Sequence, residues 1–244
     1  MRDYELELKN RIGFIRDCLK SASAQGIVYG NSGGKDSALT GILCKLACEN
    51  TVGLIMPCRS RRSYEQDRRD AEAVAAAFGI ETRMVDLQEA LRALEDASSR
   101  AASLTESARI NMPPRLRMAV LYAVAASEQR LVAGTGNRSE VYLGYFTKWG
   151  DGACDFNPIA DLTVREVYEF LRFLDAPACV LEKAPSAGLY DGQTDEGEMG
   201  ISYDKIDAFL AGRTLSAAER TLIEGYHRAS EHKRRMPLAY GGRP

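Results

Sequence analysis

Eight residues, Gly30-Asn31-Ser32-Gly33-Gly34-Lys35-Asp36-Ser37, put adjacent glycines, two serine hydroxyls, an ammonium and a carboxylate into one short stretch. That mixture suits an anion. Glycines let the backbone approach a phosphate closely, turn N–H groups are free to donate, and a helix amino terminus adds partial positive charge. Asp36 is the odd member, because a carboxylate repels phosphate unless a cation lies between them. Mg2+ joining Asp36 to a polyphosphate is the economical reading. A Walker A loop is excluded: it needs Gly-Lys followed by Ser or Thr and a further glycine five residues before the second one, whereas here Asp36 follows Lys35 and Tyr29 stands five before Gly34. The bland competitor is a tight turn that happens to be rich in glycine.

A second block, Gly134-Thr135-Gly136-Asn137-Arg138-Ser139-Glu140, continues into Gly144-Tyr145-Phe146-Thr147-Lys148-Trp149-Gly150-Asp151-Gly152. It supplies what the first lacks. Glu140 is a second carboxylate able to share Mg2+ with Asp36, Thr135 can bond a nucleotide, and Lys148 can neutralise a phosphate or carboxylate. Spacing alone leaves the plainer readings open, a solvated helix carboxylate for Glu140 and a surface ammonium for Lys148.

The elements that must position these blocks alternate in type. Residues 4–20 carry Leu6, Leu8, Ile12, Ile15 and Leu19 near helical spacing, and Gly26 to Tyr29 reads as a strand, so the first glycines fall at a strand-to-helix turn. Residues 51–56 form an apolar run stopped by Pro57, 71–78 an alanine-rich helix stopped by Gly79, and 81–87 a further strand. The stretch 118–127 is dense enough in apolar residues for a buried helix, with Pro113-Pro114 before it setting a kink or a start, and 131–133 is a fourth strand. Loop-like text follows 175, then helices at 203–211 and 216–231. This predicts an α/β fold, a Rossmann-like parallel sheet with helices on both faces, whose ligands bind beyond the carboxyl ends of the strands.

Composition sets the outer bounds. The 244 residues, 45% hydrophobic and 27% charged, suit one domain with one substantial core. A net charge of −2 with two histidines argues against a broad nucleic-acid surface and against a histidine-rich metal centre. No apolar run approaches the roughly 20 residues of a membrane span, and no signal-peptide pattern is present, so a cytoplasmic chain is expected. Six cysteines without a Cys-x-x-Cys pair read as reduced structural thiols.

The two blocks in this order resemble ammonia-dependent NAD+ synthetase. Ser32-Gly33-Gly34-x-Asp36-Ser37 is similar to the loop of ATP pyrophosphatases of the adenine nucleotide alpha-hydrolase type, while Gly-Thr-Gly-Asn-Arg-Ser-Glu with Gly-Tyr-Phe-Thr-Lys-Trp-Gly-Asp-Gly resembles the synthetase only. Asn111 with Arg115 and Arg117, Lys183-Ala184-Pro185-Ser186-Ala187 with Gln193-Thr194-Asp195-Glu196, and Ser230-Glu231-His232-Lys233-Arg234 agree, so the resemblance covers nearly the whole chain, 1–244, as a single domain without an amidase domain.

The resemblance implies that ATP adenylates the nicotinate carboxylate of deamido-NAD+ and that ammonia then displaces AMP. ATP is held by the loop Gly30, Asn31, Ser32, Gly33, Gly34, Lys35, Asp36 and Ser37, with Thr135 and Ser186. Mg2+ is held by Asp36 and Glu140, and catalysis falls to Asp36, Lys148 and Asp151, the last as the base that deprotonates ammonium. Asp151 between two glycines also reads as a plain turn residue. Arg115, Lys148 and Asp155 bind deamido-NAD+ from one subunit while His232 and Lys233 come from the other, which makes the active form a homodimer. Free ammonia is the expected nitrogen donor.

Three places depart from the pattern. Val164 stands where the resemblance implies a lysine on the ATP phosphates, and Arg165 is a substitute only if a neighbour pointing about 100° away can reach. The stretch Cys58-Arg59-Ser60-Arg61-Arg62-Ser63-Tyr64 is basic enough to act as a lid. Lys35 resembles loops of sulfur-inserting tRNA enzymes. Two rivals follow: an ATP pyrophosphatase that adenylates a tRNA base for thiolation, weakened by the missing Cys-x-x-Cys and the missing basic appendage, and a non-catalytic nucleotide sensor.

Overall fold

The computed structural model describes residues 2–58, 64–183 and 194–241. The chain opens with α1 (Tyr4–Ala22), capped by the Asp3 carboxylate on the Leu6 N–H, and runs through β1 (Gly26–Gly30), α2 (Lys35–Ala47), β2 (Thr51–Ile55), α3 (Tyr64–Phe78) and β3 (Glu81–Met84). Then come α4 (Gln88–Ser99), α5 (Glu106–Ser127), β4 (Arg130–Ala133) and α6 (Arg138–Leu143). Six helices follow: α7 (Val164–Phe173), α8 (Ala178–Leu181), α9 (Asp195–Met199), α10 (Tyr203–Leu210), α11 (Ala217–Ala229) and α12 (Glu231–Arg234).

The four strands are all parallel in the order β3-β2-β1-β4. Chain order therefore reverses beside β1, and a crevice opens beyond the carboxyl ends of β1 and β4. Both glycine-containing blocks begin there. Strand side chains alternate between faces, so Ile27 and Tyr29 join one core with α1, α2, α3 and α7, through Ile15, Leu39, Ile42, Val74, Phe170 and Leu171. Val28, Val52, Leu54 and Val132 face the other way, onto Leu91 of α4 and Leu116, Val120 and Val124 of α5. A third cluster, Leu143, Val164, Met199, Tyr203, Ile206 and Ile223, packs the carboxyl-terminal helices against α6 and α7. Arg11 and Arg2 clamp this half from below. The buried Arg11 bonds both oxygens of Asp161, at 2.7 and 2.9 Å, and Arg2 reaches Asp161 and Glu166.

The four strands appear where expected, β3 ending at Met84 short of 87, and the expected helices are present; α4, α8, α9 and α12 are additional, α8 within the stretch read as loop-like. The proline pair does not set a helix start. Pro113 and Pro114 lie inside α5, which starts earlier, at a Thr105 cap accepting the Ala108 N–H at 3.2 Å. The stretch 118–127 is also less enclosed than its apolar density implied, since Ala125 alone of that stretch is fully buried. None of the six cysteines is in a disulfide, and no helix among the described residues is long and apolar enough to cross a membrane.

Candidate active site

The glycine loop is fixed from behind. Gly33 has φ +72°, and a Cβ there would lie 2.1 Å from the Asp67 carbonyl oxygen, so both its conformation and its closeness to α3 require glycine. Lys183 donates to the Gly33 carbonyl at 3.1 Å and to the Asp67 and Asp70 carboxylates at 2.9 and 2.8 Å, which ties the loop to α3 and to the end of α8. Asn31 is buried as an anchor, its N–H donating to Leu54 O at 2.8 Å and its amide to Ala71 O at 3.3 Å. Gly30 ends β1, exposed Ser32 bonds the Ser37 hydroxyl at 3.1 Å, and Ser37 donates to Gly34 O at 2.9 Å. Gly34 is the N-cap of α2, and no side chain caps this helix end. Orphan N–H donors of that kind are what an anion uses.

Asn137 joins the second block to the first. Fully buried, it caps α6 by accepting the Glu140 N–H at 3.0 Å, while its own N–H donates to Glu140 Oε2 at 3.1 Å. Its amide then donates to Asp36 Oδ1 at 3.0 Å. The two carboxylates expected to share a cation thus converge, and the cation present between them is Lys35. The Lys35 Nζ is 2.6 Å from Asp36 Oδ2 and 3.8 Å from Glu140 Oε1, with the Tyr203 ring centroid 5.7 Å away. Burial alone would lower the ammonium pKa, but the Asp36 and Glu140 charges outweigh it and hold the pKa raised. Burial and the Asp36 charge together push the Glu140 carboxyl up, against the pull of Lys35. Glu140 keeps some water contact, with 18% of its side chain accessible.

Outside this centre, the segment 144–152 meets the carboxyl-terminal tail. Lys148 donates to His232 O at 2.6 Å, Arg115 donates to Lys148 O at 3.4 Å, and Lys233 donates to Gly144 O and Phe146 O, both at 2.8 Å. Gly144, at φ +71°, lies so close to Ser230 that a Cβ would sit 2.1 Å from the Ser230 Cβ. His232 and Lys233, expected from a second subunit, therefore adjoin Lys148 within one chain. A groove of about 420 Å³ runs between Lys148, Glu231, His232, Arg235 and residues 236–238. Trp149 beside it takes φ +61°, a left-handed conformation that costs a non-glycine residue energy and so reports a turn held by its surroundings.

Asp151 accepts the Thr147 N–H at 2.9 Å. Loss of water around its carboxyl pushes the pKa up, and the Thr147 bond offsets part of that rise. Asp155 is exposed but committed, with Oδ2 on the Val132 N–H at 2.7 Å and Oδ1 on the Tyr122 hydroxyl at 3.3 Å. It closes the edge of β4. Thr135 is half-buried just past that strand. Ser186 and residues 59–63 of the basic stretch lie outside the described residues.

Val164 is buried in the apolar cluster with Tyr203, so position 164 brings no charge. Arg165 does not replace the missing lysine, because its exposed side chain pairs with Glu169 at 2.8 Å, one helical turn on. The ammonium beside Tyr203 is that of Lys35. Asn137, Lys183, Asp67, Asp70 and Tyr203 were assigned no role from sequence. Asn137 and Lys183 stand in stretches that carry the resemblance, and Asn three residues before Glu is also a capping-box pattern.

The model of the family described as NAD synthase matches residues 7–237. The NH(3)-dependent NAD(+) synthetase of Carboxydothermus hydrogenoformans is 42% identical over 238 residues, covering 96% of this chain and 97% of that protein. Among solved structures, NMN synthetase from Francisella tularensis superposes with a TM-score of 0.93 at 37% identity, covering 99% of this chain and 100% of that one. The NH3-dependent NAD synthetase from Campylobacter jejuni gives 0.82 at 29%, with 98% and 99% covered.

Proposed function

The chain belongs to the NAD synthase family, and from that membership we infer that it forms NAD+ from deamido-NAD+, ATP and ammonia, releasing AMP and pyrophosphate. The observation that carries the reading is the junction of the two blocks, where Asn137 links Asp36 to Glu140 beside an uncapped helix end. A carboxylate does not give up an oxygen to ammonia at neutral pH, so ATP first converts it to an acyl-adenylate with AMP as leaving group. The residues needed are then donors for departing pyrophosphate, a clamp for the acceptor and a base for ammonium. The α2 amino terminus with Ser32 and Ser37 supplies the first, and in this reading Thr135 contacts ATP. Lys148, Arg115, His232 and Lys233 surround the acceptor side, where Asp155 shapes the edge. Asp151 takes the proton.

Mg2+ fits this donor set. Asp36 and Glu140 offer the hard oxygens that an ion completed by substrate phosphates would use. When bound, it neutralises charge on the α-phosphate and the leaving pyrophosphate. Rate enhancement otherwise comes from positioning and from fixed dipoles.

A homodimer is part of the proposal. Met236, Leu238 and Tyr240 stand exposed beside the Lys148 groove, where a second copy would cover them. Free ammonia is the proposed donor, and turnover by the purified chain on glutamine alone would exclude it. Family membership across the two blocks leaves the tRNA-thiolation and sensor readings without support.

A second acceptor is favoured by one observation: the structure superposing at 0.93 is named NMN synthetase, against 0.82 for an NAD synthetase. The alternative acceptor is nicotinate mononucleotide, amidated to NMN by the same steps. The deciding experiment supplies ATP, Mg2+ and ammonium with each acceptor in turn, with Asp36→Ala beside the wild type. NAD+ and AMP in equal amounts, lost in the variant, support the first reading. A clear preference in kcat/KM for the mononucleotide replaces it, and ATP binding with neither product removes both.

A further inference from the structure

Lys35 makes a contact that helix geometry does not provide by default. Side chains at i and i+1 diverge by about 100° and do not face each other, yet the Lys35 ammonium lies 2.6 Å from the carboxylate of its immediate neighbour Asp36. The side chain has curled back to reach it and is buried in doing so, with 6% of its surface left accessible. Each carboxylate already has one oxygen engaged by Asn137, Asp36 Oδ1 by the amide and Glu140 Oε2 by the backbone N–H. The two remaining oxygens, Asp36 Oδ2 and Glu140 Oε1, face the same Nζ.

We propose that Lys35 is a resident cation of this carboxylate pair, holding the place between Asp36 Oδ2 and Glu140 Oε1 that a divalent ion would take. The protein without nucleotide then has no open divalent site there. Lysine and metal compete for the same two oxygens, and a dication enters only with polyphosphate, which brings further oxygen ligands and the negative charge to offset two neighbouring cations. The inference rests on the reading of this loop as the phosphate site, and extends it by assigning to residue 35 a metal-excluding role.

The test uses the full chain with Mn2+ and no nucleotide, following free Mn2+ by electron paramagnetic resonance. Wild type is expected to bind weakly, and Lys35→Met about tenfold or more tightly than wild type, since a neutral side chain leaves both oxygens facing each other. Lys35→Arg should stay weak, and adding Asp36→Asn to Lys35→Met should remove the gained site. Should Lys35→Met fail to fold by circular dichroism, Lys35→Gln carries the same expectation. Wild type binding Mn2+ within about twofold of the neutral variant, or a gained ion that survives Asp36→Asn, overturns the proposal. Because no substrate is present, a chain that behaves as expected with Mn2+ but forms neither NAD+ nor NMN sinks the functional reading and leaves this one standing.

Discussion

After β1 the chain turns on its backbone: Gly33 is left-handed against Asp67 O, the Gly33 carbonyl is held by Lys183, and the next residues enter α2 directly. After β4 it turns into α6 on a side chain, Asn137 capping the helix and reaching across to Asp36, and in the later turns left-handed Gly144 packs on Ser230 while Lys148 and Lys233 hold backbone carbonyls. Both loops serve one crevice, but they should fail differently. A loop whose shape lies in φ and close approach tolerates no added atom, whereas one held by hydrogen bonds loses roughly 1 kcal/mol per bond and keeps its path.

The largest effect should come from Gly33→Ala. The left-handed conformation costs alanine about 1–2 kcal/mol, and the contact with Asp67 O adds to it. ATP affinity by calorimetry should fall by about a hundredfold or more, with a clear drop in melting temperature; affinity within about threefold of wild type would mean that the loop is not held as described.

Asp151→Asn tests the second loop without breaking it, because the asparagine oxygen still accepts the Thr147 N–H. The amidation kcat should fall by about a hundredfold while ATP–pyrophosphate exchange and melting temperature hold. The sign with pH follows from the raised Asp151 pKa. The base is lost as pH falls through its raised pKa, so the acid limb of kcat lies higher than an ordinary aspartate would put it and disappears in the variant. The same raised pKa makes its stability contribution greatest below the ordinary carboxylate pKa and lost as pH rises through the folded value. Unchanged kcat would reduce Asp151 to a turn residue.

Asn137→Ala sharpens the comparison, since it removes the link between the loops and a helix cap together. Stability should drop by about 1–2 kcal/mol in urea unfolding, and adenylation should slow about tenfold or more as Asp36 loses its partner. A loss of stability with unaltered exchange would separate the cap from the site. Smallest of all is Arg165→Ala, expected within about 0.5 kcal/mol of wild type and without effect on the KM for ATP, because the guanidinium is exposed and pairs with Glu169. A raised KM would restore Arg165 as the substitute for the missing lysine.

The glycine loop was legible because its signal is local: glycines after a short apolar run and before a helix have few other uses. The Pro113-Pro114 pair misled for the opposite reason. Prolines stop an isolated helix, but the capped segment before them and packing of Leu116, Val120 and Val124 on the sheet carry α5 through. Arg165 was weighed as a replacement for charge at 164 and lies on the wrong side of α7. Asn137 stood in the second block without a role of its own, since its bond to Asp36 joins residues distant along the chain.

The sequence by itself determined the alternation of strands and helices and the residue types at both blocks, because periodicity, glycine and caps act over a few residues. Only the tertiary structure decided that β4 lies against β1 on the side away from β2, that the two carboxylates meet, and that the charge between them is the Lys35 ammonium. Coulomb energy and burial depend on distances in space, and those are set by how the sheet is ordered.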